Sequence, residues 1–243
     1  MIKGIIFDLG HTLIQLTRDI DEVAREGAEA MADWYYQKKH IKLDQTALVE
    51  TFLAERIAAW TRSDHDFIET PILKVLETAL AQIDAPPAAR SKMLMEAAIK
   101  IYYGPEQAAW QAYPDAVDTL RQLKSRQHRL GLYSNASDDA FVQRLINENK
   151  LRPELSITFS SAGHGWRKPD PQGFALIAKR WQLPPAQIVV VGDSLAADVT
   201  GAHNAGMLSI LVQRDAVNPT DSQPTPTAVV DSLAALPEVI AGL

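Results

Sequence analysis

The fold of this chain is indicated first by residues 2–12, which read IKGIIFDLGHT. An apolar run of strand length, Ile2–Phe7, ends in Asp8 and a polar turn that contains glycine. Short apolar runs rich in β-branched residues are typical of strands that are buried on both faces, as in a parallel sheet. Comparable runs that each end in a polar residue are Arg129–Tyr133, Ile188–Val191 and Ser209–Val212. The stretch therefore predicts the first strand of a parallel sheet.

Helical patterns separate these runs from about residue 114 onward. Val117, Leu120 and Leu123 recur at three-residue spacing within Ala116–Lys124. A second helix is predicted over Pro171–Trp181, because proline is tolerated in the first turn of a helix. The alternation of strand and helix predicts an α/β fold with a Rossmann-like, doubly wound parallel sheet.

Residues 16–110 have a different composition, with few glycines and many Ala, Leu, Glu, Gln and Lys residues. Their apolar positions recur at helical spacing, which predicts roughly four or five helices and no strand. We therefore predict an α/β core made of residues 1–15 and 111–243, with an all-helical cap domain, residues 16–110, inserted after the first strand. The segment Val217–Pro226 carries three prolines and is predicted to be a loop.

The composition excludes several classes of protein. The 24 basic side chains are outnumbered by 30 acidic ones, which argues against a sequence-independent nucleic-acid binder. No apolar run approaches the roughly 20 residues of a membrane-spanning helix, so no membrane partner is expected. The chain has no cysteine, which rules out a thiolate nucleophile and agrees with a cytoplasmic location. Nothing in the sequence predicts the oligomeric state.

The residues that follow the predicted strands carry the chemistry, because ligands bind at the carboxyl ends of the strands in an open α/β sheet. Carboxylates without cysteine or a histidine cluster favour Mg²⁺ over zinc or copper. A lysine beside them suits a dianionic phosphate, and an aspartate can act as nucleophile through an aspartyl-phosphate. The residues concerned are Asp8, Gly10, Thr12, Ser134, Asn135, Lys168, Asp193, Ser194 and Asp198.

These residues stand in four motifs that resemble those of the haloacid dehalogenase-like hydrolase superfamily. The resemblance is to the branch with a helical cap inserted after the first motif, which includes phosphoglycolate phosphatases and haloacid dehalogenases. The matching segments are FDLGHTL (Phe7–Leu13) for the nucleophile motif, YSN (Tyr133–Asn135) for the serine/threonine motif, RKPDP (Arg167–Pro171) for the lysine motif and VGDSLAAD (Val191–Asp198) for the acidic metal motif. They occur in the family's order, and the resemblance covers nearly the whole chain.

The resemblance implies a Mg²⁺-dependent phosphomonoester hydrolase that acts on a small phosphorylated metabolite. It implies that Asp8 is the nucleophile and that Lys168 neutralises both Asp8 and the transferring phosphoryl group. The metal ligands would be Asp8, the Gly10 carbonyl and Asp193. Ser194 and Asp198 would reach the metal through water or hold Lys168. Phosphate would be bound by Thr12, Ser134, Asn135 and Lys168.

Gly10 departs from the family's phosphatases, which usually carry a second aspartate there as the acid and base. Such a group is typically worth ~10²–10⁴ in rate. His11 is an alternative source of the proton, since imidazole titrates near neutral pH. Two other functions stay open: a catalytically weak or inactive binding or regulatory protein on the same fold, and a metal-independent 2-haloacid dehalogenase, whose nucleophile motif also lacks the second aspartate.

Overall fold

The computed structural model describes residues 1–214 and 224–243. The chain divides into two compact units, one made of Met1–Gln15 and Gln111–Leu243 and the other of Leu16–Trp110. The loop predicted over Val217–Pro226 lies largely outside the described residues. Among the helices in the described part of the chain, none has the length and apolar character that a membrane crossing requires.

A six-stranded sheet forms the centre of the first unit within the described residues. The strands in residues 1–214 and 224–243 are β1 (Gly4–Phe7), β2 (Ile14–Leu16), β3 (Trp110–Ala112), β4 (Arg129–Ser134), β5 (Ile157–Ser160), β6 (Ile188–Gly192), β7 (Leu208–Val212) and β8 (Ala228–Val230). The large sheet has the order β5-β4-β1-β6-β7-β8, whereas β2 and β3 pair separately. All neighbouring strands of the large sheet are parallel.

The strand order shows that the chain winds outward from β1 in both directions. After β1 it builds β4 and β5 on one side, and then β6, β7 and β8 on the other. Helices α6 (Ala116–Ser125), α7 (Asp139–Glu148), α8 (Ser161–His164), α9 (Gln172–Trp181), α10 (Thr200–Asn204) and α11 (Leu236–Ala241) belong to this unit. This topology confirms the predicted doubly wound, Rossmann-like α/β fold and places a switch point beside β1, where such sheets bind ligands.

Burial explains which strands the sequence predicted. Every residue of β1 and β6 is buried, and both appear in the sequence as uninterrupted apolar runs. The edge strands β5 and β8 were not predicted, because they are short: β5 has four residues, two of which are the polar Thr158 and Ser160, and β8 has only three. On one face of the sheet, α9 packs Phe174, Ile177 and Trp181 against side chains of the central strands. This hydrophobic core holds α9 against the sheet.

The second unit is helical except at its two ends, where Leu16 belongs to β2 and Trp110 to β3, although the sequence predicted no strand in this segment. Within residues 16–110, all of which are described, the α-helices are α1 (Ile20–Asp33), α2 (Gln45–Asp66), α3 (Ile72–Gln82), α4 (Lys92–Tyr102) and α5 (Gly104–Ala109). Asp19 and Asp44 begin α1 and α2 as N-caps, because each carboxylate accepts hydrogen bonds from free backbone N–H groups of the first turn. A π-helical turn follows α1 at Trp34–Lys38.

Gly27 lets α1 approach α4 closely, which yields a prediction about stability. A Cβ atom at Gly27 would lie 2.0 Å from the backbone carbonyl oxygen of Tyr102, and a backbone atom cannot turn aside. We expect Gly27→Ala to lower the free energy of unfolding by about 1–3 kcal/mol, measured by urea denaturation. The clash thereby outweighs the gain of about 1 kcal/mol that alanine brings to a helix interior.

Gly104→Ala is the matched control, because a Cβ atom there meets nothing within 4 Å. It should leave the unfolding midpoint nearly unchanged. A Gly27→Ala variant that is as stable as the control would show that the contact between α1 and α4 is not tight.

Candidate active site

Three carboxylates converge at the carboxyl edge of the large sheet. Asp8 follows β1 directly, Asp193 follows β6, and Asp198 lies in the turn after Asp193. One carboxylate oxygen of each lies within 4.8 Å of the others. The arrangement depends on the topology, because β1 and β6 are adjacent parallel strands whose ends coincide in register.

The loop after β1 is closed by backbone hydrogen bonds. The Asp8 N–H donates to the Val191 carbonyl at 2.9 Å and so extends the pairing of β1 with β6. Two later backbone N–H groups, at Leu13 and Ile14, donate back to the Leu9 carbonyl. Within this turn His11 is exposed and adopts a left-handed φ of 56°. The loop is therefore a tight turn at the switch point of the sheet.

Thr12 is fully buried in this turn. Its hydroxyl group donates to Asp193 Oδ1 at 3.2 Å. The structure thus places the Thr12 hydroxyl on a carboxylate of the cluster and makes it an orienting contact for Asp193.

Lys168 is the cation at the centre of the cluster. Its ammonium group contacts Asp8 Oδ1 and donates to Asp198 Oδ1 at 2.7 Å. The lysine side chain is almost completely buried. Burial alone would lower the pKa of Lys168, but the Asp198 and Asp8 carboxylates outweigh burial and raise the pKa above its ordinary value. Lys168 is therefore a permanent cation at neutral pH.

Asp198 is held in place by a π-helical turn, Leu195–Val199. The Ser194 N–H donates to Asp198 Oδ2 at 3.1 Å, while Oδ1 accepts from Lys168. A Cβ atom at residue 192 would lie 2.1 Å from Asp198 Oδ2, so only glycine allows the carboxylate to pack against the end of β6. Both oxygens of Asp198 are thus engaged by protein donors.

Burial and mutual repulsion raise the pKa of all three carboxyl groups. Burial is the main cause of the raised pKa of Asp8, and Asp193 adds to the shift while Lys168 opposes it. Burial and the neighbouring Asp198 raise the pKa of Asp193. Burial, with a smaller contribution from Asp8, raises the pKa of Asp198 to about 6, although Lys168 again opposes the shift.

The charges of these four residues do not balance. Three carboxylates surround one ammonium group, which leaves two negative charges among them. Hard carboxylate oxygens with an excess of two negative charges are the donor set that suits a divalent cation such as Mg²⁺. The residues present therefore fit a magnesium ion.

The structure also locates the remaining predicted site residues. Ser134 is buried at the end of β4, and Ser194 begins the π-helical turn. The side chain of Asn135 forms hydrogen bonds with the backbone of Lys168. A further contact that the sequence did not predict is the hydrogen bond from the Tyr133 hydroxyl group to the Trp166 carbonyl at 2.8 Å. Only its place beside Ser134 in the second motif marked Tyr133 in the sequence.

Comparison with known proteins agrees with this geometry. A family profile described as haloacid dehalogenase-like hydrolase matches residues 2–206. A glyceraldehyde 3-phosphate phosphatase of Methanopyrus kandleri is 27% identical over 222 residues, which cover 88% of this chain and 85% of that protein. A phosphoglycolate phosphatase of Shigella boydii is 25% identical over 219 residues, which cover 86% of this chain and 80% of that protein.

A solved structure gives the same result at the level of the fold. The crystal structure of a 2-haloacid dehalogenase from Pseudomonas syringae pv. tomato matches with a TM-score of 0.74 and 26% identity, covering 100% of this chain and 99% of that one. The profile match over most of the chain and the motif residues gathered at one edge of the sheet lead to one conclusion. The chain belongs to the haloacid dehalogenase-like hydrolase family and is an enzyme, a hydrolase.

Proposed function

We propose that this protein is a Mg²⁺-dependent phosphomonoester hydrolase that acts on a small phosphorylated metabolite through Asp8. The observation that carries the proposal is the buried Lys168 ammonium group among three carboxylates with two negative charges in excess. That charge distribution suits a divalent cation and a phosphate group together. The two phosphatases named above support the same class of reaction. Residues 16–110 are proposed as the cap domain that selects the substrate.

The metal ligands are proposed to be Asp8, Asp193 and the backbone carbonyl of Gly10. Asp198 is less suited to direct ligation, because Lys168 and the Ser194 N–H already occupy its two oxygens. We assign Asp198 and Ser194 contacts with the metal through water. When bound, Mg²⁺ would offset the charge of the carboxylates and of the phosphate oxygens.

The proposed reaction consists of two displacements at phosphorus. In the first, a carboxylate oxygen of Asp8 forms a bond to phosphorus while the ester P–O bond breaks and the alcohol departs. In the second, water attacks the aspartyl-phosphate, which releases inorganic phosphate and restores Asp8. Lys168 balances the negative charge on Asp8 and on the phosphoryl group, and Ser134, Thr12 and Asn135 are assigned to the phosphate site and its support.

Gly10 imposes a restriction on the first displacement. Because Gly10 has no side chain, no carboxyl group at this position can protonate the departing oxygen, and the proton comes from another donor, either His11 or solvent. An ester whose alcohol is a good leaving group depends less on that proton. The proposal therefore favours substrates such as sugar 1-phosphates or acyl phosphates over simple alkyl phosphates.

A 2-haloacid dehalogenase is the second candidate, supported by the likeness to the Pseudomonas syringae structure and by Gly10. In that reaction the Asp8 carboxylate would attack carbon and expel halide. The chemistry requires no metal, so it offers no reason for the unbalanced charge of Asp8, Asp193 and Asp198. The phosphatase accounts for that charge and is therefore preferred.

The first prediction from the proposed function concerns phosphate release from a panel of small phosphomonoesters. We expect turnover in the presence of Mg²⁺, loss of turnover in EDTA, and loss in the Asp8→Asn variant, since an amide cannot act as the nucleophile. Halide release from 2-haloacids in EDTA, without phosphate release from any ester, would contradict the proposal and support the dehalogenase.

The second prediction tests the cation site without turnover. A cation that binds only the folded state raises the melting temperature. We expect MgCl₂ to raise the melting temperature of the wild-type protein, and we expect this shift to disappear in Asp193→Asn, measured against NaCl of equal ionic strength. Equal increases in both proteins would show that magnesium binds without Asp193. No increase in either protein would contradict the proposed cation site.

The third prediction concerns Gly10. Restoring a carboxyl group with Gly10→Asp should raise kcat for alkyl phosphates by at least ~10-fold, because the variant supplies the missing proton donor. For aryl phosphates, whose phenolate leaves without protonation, kcat should rise little, so these esters serve as the internal control. Equal gains for both substrate classes would show that leaving-group protonation does not limit this enzyme.

A further inference from the structure

The side-chain amide of Asn135 pairs with both backbone polar groups of Lys168. Asn135 Oδ1 accepts a hydrogen bond from the Lys168 N–H at 2.8 Å. Asn135 Nδ2 donates to the Lys168 carbonyl at 2.9 Å. One side chain therefore satisfies the backbone of the residue that carries the central ammonium group.

The pairing with Asn135 fixes a backbone segment that no helix or strand holds in place. Residues 165–171, all of them described, lie between α8 and α9 and belong to neither helix nor strand. Other residues of this segment bond to other side chains. The Trp166 carbonyl accepts a hydrogen bond from the Tyr133 hydroxyl group at 2.8 Å, and the Pro169 carbonyl accepts one from the exposed Asn204 at 3.2 Å. At Lys168 itself, both backbone polar groups are hydrogen-bonded to the Asn135 side chain.

The position of the Lys168 backbone decides whether its ammonium group reaches two carboxylates. The side chain is long and has four rotatable bonds, yet its end must contact Asp8 and Asp198 together. A displacement of about 1 Å in a catalytic group can cost up to ~10²-fold in rate. A rigid end of β4 that holds the lysine backbone removes that freedom.

We propose that Asn135 is a positioning residue whose side chain sets the Lys168 ammonium group between Asp8 and Asp198. The Lys168 backbone engages both the oxygen and the nitrogen of the Asn135 amide, and this contact lets the Asn135 side chain act through Lys168. The kinetic consequence rests on the proposed function, whereas the placement of Lys168 does not.

A double-mutant cycle tests the kinetic consequence. Asn135→Ala should lower kcat for the best phosphomonoester by roughly 10- to 100-fold. In a Lys168→Ala background, the same change should alter kcat by less than about two-fold, because the group it positions is gone. An equal loss in both backgrounds, or no loss in either, would overturn the proposal. Asn149→Ala is the matched control, since it also removes an asparagine hydrogen bond to a backbone carbonyl, that of Leu145 at 3.0 Å.

Chemical labelling tests the placement of Lys168 independently of turnover. The rate at which an acylating reagent modifies Lys168, followed by mass spectrometry, should rise several-fold in Asn135→Ala and stay low in Asn149→Ala. Lys92, whose side chain is 79% exposed, should be labelled equally in all variants. Unchanged protection of Lys168 in Asn135→Ala would overturn the proposal. If the wild-type protein hydrolyses no ester, the proposed function fails while the labelling still decides the role of Asn135.

Discussion

The ion pairs of Lys168 with Asp8 and Asp198 are the interaction on which the rest of the site depends. Burying one unpaired carboxylate is costly, and three carboxylates at one edge of a sheet would repel one another strongly. A buried ammonium group in contact with two of them makes the arrangement tolerable. Breaking a buried pair of this kind by removing one partner is strongly destabilising, because it leaves an uncompensated charge. The charges therefore constrain the structure as well as the chemistry.

The topology of the sheet brings these distant residues together. Lys168 and Asp8 are separated by 160 positions, yet the ends of β1 and β6 and the segment before α9 meet beside the switch point. Local hydrogen bonds hold each contributing segment. They close the turn after β1, join the Ser194 N–H to the Asp198 carboxylate in the π-helical turn, and join the Asn135 side chain to the Lys168 backbone. The sheet brings the site residues close together, and these local hydrogen bonds orient their side chains.

The sequence predicted what depends on burial and chain order. The buried strands β1, β4, β6 and β7 appear in it as apolar runs, and the residues at their ends are identifiable because parallel strands end at one edge. It did not predict β5, whose four residues include the polar Thr158 and Ser160 and so give no continuous apolar run. Nor did it show that the side chain of Asn135 holds the Lys168 backbone, because a contact over 33 positions leaves no periodic trace in the sequence.

Electrostatics link the proposed cation to the proposed substrate. The carboxylates of Asp8, Asp193 and Asp198 repel a phosphate dianion, and Lys168 alone leaves two negative charges against it. A bound divalent cation balances those charges, and Lys168 and the cation can then attract the dianion from two sides. In the proposed function the affinity of this site for phosphate is thus conditional on the cation, whereas dehalogenation requires no metal. In the proposed function, the excess of carboxylates, rather than the presence of any one of them, is what favours phosphate chemistry over dehalogenation.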